Sequence, residues 1–197
     1  MTAAGEVATR PAGRPRSPEV DEAISDAVID ELAEHGWDGL TVEGVAARAG
    51  VGKATIYRRH PSKVDLLIAA AERLVGQHEL PPDTGSLDGD VRALGRSYVR
   101  MMTRSRLGPL VPATIAATVR SPELARVQRR FMAQQLTGLS QVISRAVDRG
   151  ELPGDADVDL FVEMLLGTLF YRIFVSKRPV DDRAVDALAD RLLAAFA

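Results

Sequence analysis

Apolar side chains recur three and four residues apart along most of this chain, the period of a helix with one covered face. Val20, Ile24, Ala27, Val28 and Leu32 make the first such stripe, and Glu31 lies within it. Ser17-Pro18-Glu19 marks its start: a capping residue, a proline suited to the first turn, and an acid against the helix dipole. Gly36 is expected to end it. Two short apolar stretches follow at 42–49 and 53–60, separated by Gly50-Val51-Gly52 and stopped near Pro61. Ser62 and Asp65 form a capping pair that opens a fourth helix.

"HELPPDTGS" is the first clear boundary. Beyond it, helical spacing predicts helices over 86–104, 109–119, 122–148 and 158–176, and a last one from Asp181 or Asp182 to Phe196. "RLGPL", Ser121-Pro122, "ELPGDAD" and "KRPVDD" separate them. No segment alternates like a strand, and none repeats. The expected fold class is all-α, with about nine helices. Three parts are expected: a flexible Arg-containing arm over 1–16, a compact helical unit over 17–62, and a larger helical unit over 63–197.

Composition fits that reading. Hydrophobic residues make up 46% of 197, enough for a core, while aromatics are only 5%. With no cysteine in the chain, disulfides, thiolate catalysis and cysteine metal sites are excluded. The first residues lack the apolar centre of a signal peptide, and no run is long enough to span a membrane. The expected location is the cytoplasm.

Charge changes the picture more. The formal net charge is −2, yet the signs separate. Arg10, Arg14 and Arg16 lie in the arm. Arg48, Lys53, Arg58, Arg59 and Lys63 lie in or beside the two-helix hairpin, with no acid between 48 and 63. Residues 64–197 balance at 17 against 17. Two short helices joined by a glycine turn form a helix-turn-helix. Val42, Val45, Ala46, Ala49, Val51 and Ile56 supply its small core. Lys53, Ala54, Thr55, Arg58 and Arg59 are left around the outside of the second helix. Such a helix fits the major groove of DNA, where Lys and Arg donate to guanine and Thr bonds a base edge. Thr41, Tyr57 and Lys63 offer donors to phosphate oxygens.

Thr41, Val45-Ala46, Ala49-Gly50-Val51, Thr55-Ile56-Tyr57, Ser62-Lys63 and Leu66-Leu67 together resemble the DNA-binding domain of the tetracycline-repressor (TetR) family of bacterial regulators. The resemblance covers about residues 18–75; the rest matches in helical layout and length. It implies phosphate contacts from Thr41, Tyr57 and Lys63, and base-facing positions at Lys53, Ala54, Thr55 and Arg59. It implies that Arg14 and Arg16 of the arm enter the adjacent minor groove. It also implies a homodimer on a palindromic operator, most often a repressor, released when a small-molecule effector shifts the fourth helix. Two positions depart from the family pattern: His60-Pro61 replaces the usual aromatic, and Gly52 replaces the usual Ser.

The helix over 158–176 is apolar on more than one side, so it is expected to be covered twice. Phe161, Leu165, Thr168, Leu169 and Arg172, with Leu188 and Leu192 of the last helix, are the expected dimer interface. Arg172 is expected to pair with an acid or a carbonyl. Met101, Met102, Leu110, Ile115, Phe131, Leu139 and Met164 are candidates for an effector pocket suited to an apolar or amphipathic molecule. An enzyme is not expected. His35, His60 and His78 have no metal-ligand spacing, and Gly50-Val51-Gly52 lacks the preceding strand and the following lysine-serine pair of a phosphate loop. No cofactor or metal is implied. The competing reading is a helical ligand-binding or adaptor protein whose hairpin does not bind DNA; salt-dependent retention on duplex DNA separates the two.

Overall fold

The computed structural model describes residues 17–76, 82–106, 108 and 110–196. The arm with Arg10, Arg14 and Arg16 lies outside the described residues, as does His78. Among the described residues there are nine α-helices and no strand: α1 (Pro18–Gly39), α2 (Val42–Arg48), α3 (Lys53–Arg59), α4 (Lys63–Gly76), α5 (Leu87–Arg104), α6 (Leu110–Thr118), α7 (Pro122–Asp148), α8 (Val158–Phe170) and α9 (Asp182–Phe196).

α1 departs from the helical path at Gly36, whose φ of 65° is reached without strain only by glycine. The last turn of α1 therefore bends, and the Leu40 N–H closes back on the Gly36 carbonyl. Capping follows the expected residues with one exception. Thr41, Ser86, Ser121 and Asp157 each accept a backbone N–H at the start of their helices. Ser62 and Asp65 cap each other reciprocally, Ser62 N–H to Asp65 at 3.0 Å and Asp65 N–H to Ser62 at 3.2 Å. Ser17 instead donates its hydroxyl to Glu19 and caps nothing. A carboxylate two residues away is a stronger acceptor than the hydroxyl is a cap.

Two apolar cores result. In the first, Ile24, Val28 and Leu32 of α1 meet Val45 of α2, Ile56 of α3, and Val64, Leu67 and Leu74 of α4. α4 is thus part of the core beneath the hairpin. Met102, Leu110, Ala117 and Leu124 extend the same core towards α5, α6 and α7. In the second, α5 and α9 close on α7 and α8 around Val91, Ile143, Phe161, Leu165, Leu169, Val185 and Leu192.

This second core corrects the expected interface. Phe161, Leu165, Leu169 and Leu192 are each at most 2% exposed, buried inside their own protomer. Leu188 packs on the same core. Thr168 lies on the other, exposed side of α8. A helix apolar on two sides does not announce which side faces its own chain. Arg172 is partly buried, and its guanidinium donates to the Pro179 carbonyl at 3.2 Å, the carbonyl partner expected of it. α8 also stops earlier than its spacing predicts: residues Tyr171–Val175 continue it as a π-helical turn. That wider turn directs Ile173 and Phe174 to the first core while Tyr171 and Val175 stay exposed.

Tyr98 of α5 packs against both cores. Burial pushes its phenol up to about 12 from an ordinary 10. A group whose folded pKa is raised contributes fully below its unfolded pKa and loses that contribution as pH rises through the folded value. Tyr98 therefore withdraws stability between about pH 10 and about pH 12. Tyr98→Phe is expected to flatten that loss. Denaturant midpoints at pH 9 and pH 11.5 check it; equal losses in both proteins would assign the alkaline limb to another group.

Candidate nucleic-acid interface

The hairpin is held by very small contacts. Val45 and Ile56 are fully buried between α2 and α3, and Ala46 is 4% exposed. The Val51 N–H donates to the Ala46 carbonyl at 3.0 Å, which fixes the turn. Burying Ile56 leaves Lys53, Ala54, Tyr57 and Arg58 exposed around α3, with Thr55 half-buried at the edge. Thr41 is exposed at the start of α2, where its hydroxyl accepts the Gly44 N–H at 3.0 Å. Its own proton stays available to an acceptor outside the protein. Gly52 gives α3 no side-chain cap.

Arg59 departs from the base-facing expectation. Its guanidinium pairs with Asp21 of α1, and its side chain is only 14% exposed. It ties α3 to α1. Lys53 is exposed but not free: its Nζ lies 2.8 Å from Glu43 of α2. Lys63 sits 4.4 Å above the Trp37 ring centroid. Burial there lowers its pKa, and the Asp38 charge opposes that shift. Arg58 has no ion-pair partner among the described residues.

Seven acids of α1, from Asp21 to Asp38, are already paired. Arginines from several elements take them up. Asp21 receives Arg59 of α3, and Glu22 receives Arg73 of α4 at 2.9 Å. Asp26 and Asp30 receive Arg106, just before α6, and Asp38 receives Arg120, just after it. Glu31 and Glu34 receive Arg48 of α2, with Nε–Glu31 and Nη1–Glu34 distances both 3.0 Å. The Glu31 side chain is only 8% exposed and lies against α2 where residue 44 has no side chain. A Cβ added at Gly44 would stand 2.3 Å from a Glu31 oxygen. Glu31, Glu34 and His35 place three potential ligand atoms together, and the cation among them is the Arg48 guanidinium.

Sequence reasoning named Glu31 as a member of the apolar stripe without drawing the consequence. A carboxylate on a stripe that must be buried requires a partner, and Arg48, 17 residues on in the chain, is that partner. The pairing of Asp21 with Arg59 had no local signal, because the two residues are 38 apart in the chain.

The pocket candidates divide. Met102 and Leu110 are buried in the first core, and Met101 packs against it. Leu139 is half-buried on α7. Ile115 is 37% exposed and Met164 is 40% exposed on the outer side of α8, so neither belongs to that group. The Phe131 side chain lies outside the described residues.

Comparison with known proteins agrees with this geometry. Residues 24–70 match the family described as bacterial regulatory proteins, tetR family, and residues 81–192 match the tetracyclin repressor-like C-terminal domain. An HTH-type transcriptional regulator of Mycobacterium tuberculosis is 35% identical over 190 residues, covering 95% of this chain and 93% of that protein. The DNA-binding transcriptional repressor TetR of Mycobacteroides abscessus is 30% identical over 173 residues, covering 87% of this chain and 90% of its own. The crystal structure of the TetR family transcription regulator SCO0332 superposes with a TM-score of 0.74 at 32% identity, over 91% of this chain and 99% of that one. With its exposed α3, capped α2 and helical C-terminal unit, the chain belongs to the TetR family of DNA-binding transcriptional regulators.

Proposed function

We propose that this regulator is a homodimeric repressor that places α3 of each protomer in a major groove of a palindromic operator. The observation that carries this reading is the outward set of Lys53, Ala54, Tyr57 and Arg58 on a helix anchored by the buried Ile56. Arg58 and Lys53 would read base edges, with Ala54 and Thr55 against the bases beside them. Thr41, Tyr57 and Lys63 would bind phosphates and set the register. Arg14 and Arg16 would follow the minor groove. Arg59, held by Asp21, is assigned to positioning α3 rather than to the bases.

Release would come from an apolar or amphipathic effector lodged beside Met101, Met102 and Leu110. These side chains share a core with α4 and α1. A ligand that spread them would shift α4 and change the separation of the two α3 helices. Coupling of this kind amounts to about 1–3 kcal/mol in typical cases.

The test is selection of bound duplexes from a random-sequence pool with the full chain at moderate salt. Enrichment of a palindrome supports the reading, and its sequence names the operator. Arg58→Ala is then expected to weaken operator binding by about 1–3 kcal/mol, roughly 5- to 150-fold, and to relax preference at one position of each half-site. Selection of no sequence by a folded protein favours the adaptor reading. Loss of affinity in Arg58→Ala with an unchanged motif would place Arg58 on phosphate.

A further inference from the structure

The unit that carries the hairpin is acidic. Residues 17–76 contain six Lys or Arg against eleven Asp or Glu. Sequence-independent binding to DNA is driven by cations that displace counterions from phosphates. Of the three cations on α3, Arg59 is neutralised by Asp21 and Lys53 by Glu43, so only Arg58 presents an uncompensated charge among the described residues. In the Asp21 pair Arg59 is largely covered, but in the Glu43 pair both side chains are 56% exposed, next along the chain to the exposed Ala54 and two residues from the exposed Thr41. Glu43 is therefore a carboxylate that would face the polyanion directly.

The positions of the two groups fix them there. Glu43 lies in the first turn of α2, where the helix dipole favours a negative charge. Its pKa is lowered first by the hydrogen bond from Lys53 and then by its own backbone N–H. Lys53 is the first residue of α3, where the dipole opposes a positive charge and Glu43 offsets it. An exposed pair of this kind adds little to folding. Its effect falls on whatever approaches the surface.

We infer that Glu43 is a specificity-determining residue, whose carboxylate holds Lys53 away from phosphates and releases it only to a base pair that satisfies both groups. The inference rests on the DNA-binding reading above. On an arbitrary duplex, moving Lys53 to a phosphate strips Glu43 of its partner beside a negative backbone. On a G·C step, Lys53 donates to guanine O6 and N7 while Glu43 accepts from the cytosine N4 amino group, so both groups exchange one partner for another. Discrimination then comes from weakening the wrong complexes as well as strengthening the right one.

The test compares the full chain with Glu43→Gln, which keeps shape and removes charge, on the selected operator and on a scrambled duplex of equal length, from 50 to 200 mM salt. Glu43→Gln is expected to raise affinity for the scrambled duplex roughly three- to tenfold. It should also steepen the salt slope by about 0.9 per protomer, because Lys53 now reaches a phosphate. Operator affinity should gain less or fall, and the G·C preference opposite Lys53 should disappear on reselection. Adding Lys53→Ala to Glu43→Gln should abolish the gain on scrambled DNA. An unchanged scrambled-duplex affinity, or an equal gain on both duplexes, overturns the role of Glu43 while leaving the regulator reading intact. A wild-type chain with no salt-dependent affinity for either duplex overturns both. Equal thermal midpoints for wild type and Glu43→Gln separate these effects from damage to the fold.

Discussion

Phe161→Ala is expected to lower the stability of the protein by about 3–5 kcal/mol, the usual result of emptying a buried phenylalanine site. The ring is 1% exposed, and its centroid lies 5.0 Å from that of Phe196 in an edge-on arrangement. Leu165, Leu169 and Leu192 share the same core. Four helices meet there, so the gap cannot close by moving one of them, and the cavity term adds to the lost transfer energy. For a chain of this length the change corresponds to a drop of roughly 10 °C in Tm. The drop should be similar at low and high protein concentration, because the lost contacts lie within a protomer. Thermal melts at two concentrations a hundredfold apart check this. A small drop accompanied by dissociation would return Phe161 to a subunit boundary.

Phe161 also shows where sequence reading reached its limit. Helical periodicity placed all nine helices, because caps such as Thr41, Ser121 and the Ser62–Asp65 pair are local chemistry written in adjacent residues. The helix-turn-helix was legible for the same reason: its core is Val45, Ala46 and Ile56, all within a dozen residues. Which side of α8 faces inward is a different kind of fact. It depends on α5 and α9, distant in the chain, and both sides of α8 are apolar. The fate of Arg59 depended on Asp21 in the same way. A base-facing position can be inferred from the hairpin alone, but whether its charge is already taken is decided by a carboxylate on another helix. The π-helical turn at Tyr171–Val175 had no signal in the spacing, since Ile173 and Phe174 fit an α-helix equally well on paper.

The other side of α8 gives the second large expectation. Leu160, Met164, Tyr171 and Val175 are 44%, 40%, 57% and 58% exposed and follow one another along a single row. Thr168 is exposed between them, and a Cβ added at Gly167 would meet nothing within 4 Å. The π-helical turn keeps this row continuous by holding Tyr171 and Val175 outward. Contiguous exposed apolar surface of this kind marks an interaction site, and a second copy of the same row is the partner a twofold dimer requires. If the proposed homodimer pairs through this row, Leu160→Asp combined with Met164→Asp is expected to yield a monomer at micromolar concentration, with helix content unchanged. The carboxylates would be desolvated against like charges in a twofold interface, whereas in the monomer they stand in water. Operator affinity should fall by about 10²–10⁴-fold, because each half-site would then be bound without the effective concentration supplied by its twin. Sedimentation and operator titration of the same preparation check the two effects together. A double variant that remains dimeric would move the interface away from this row; a monomer that keeps full operator affinity would mean that the two α3 helices do not act as a pair.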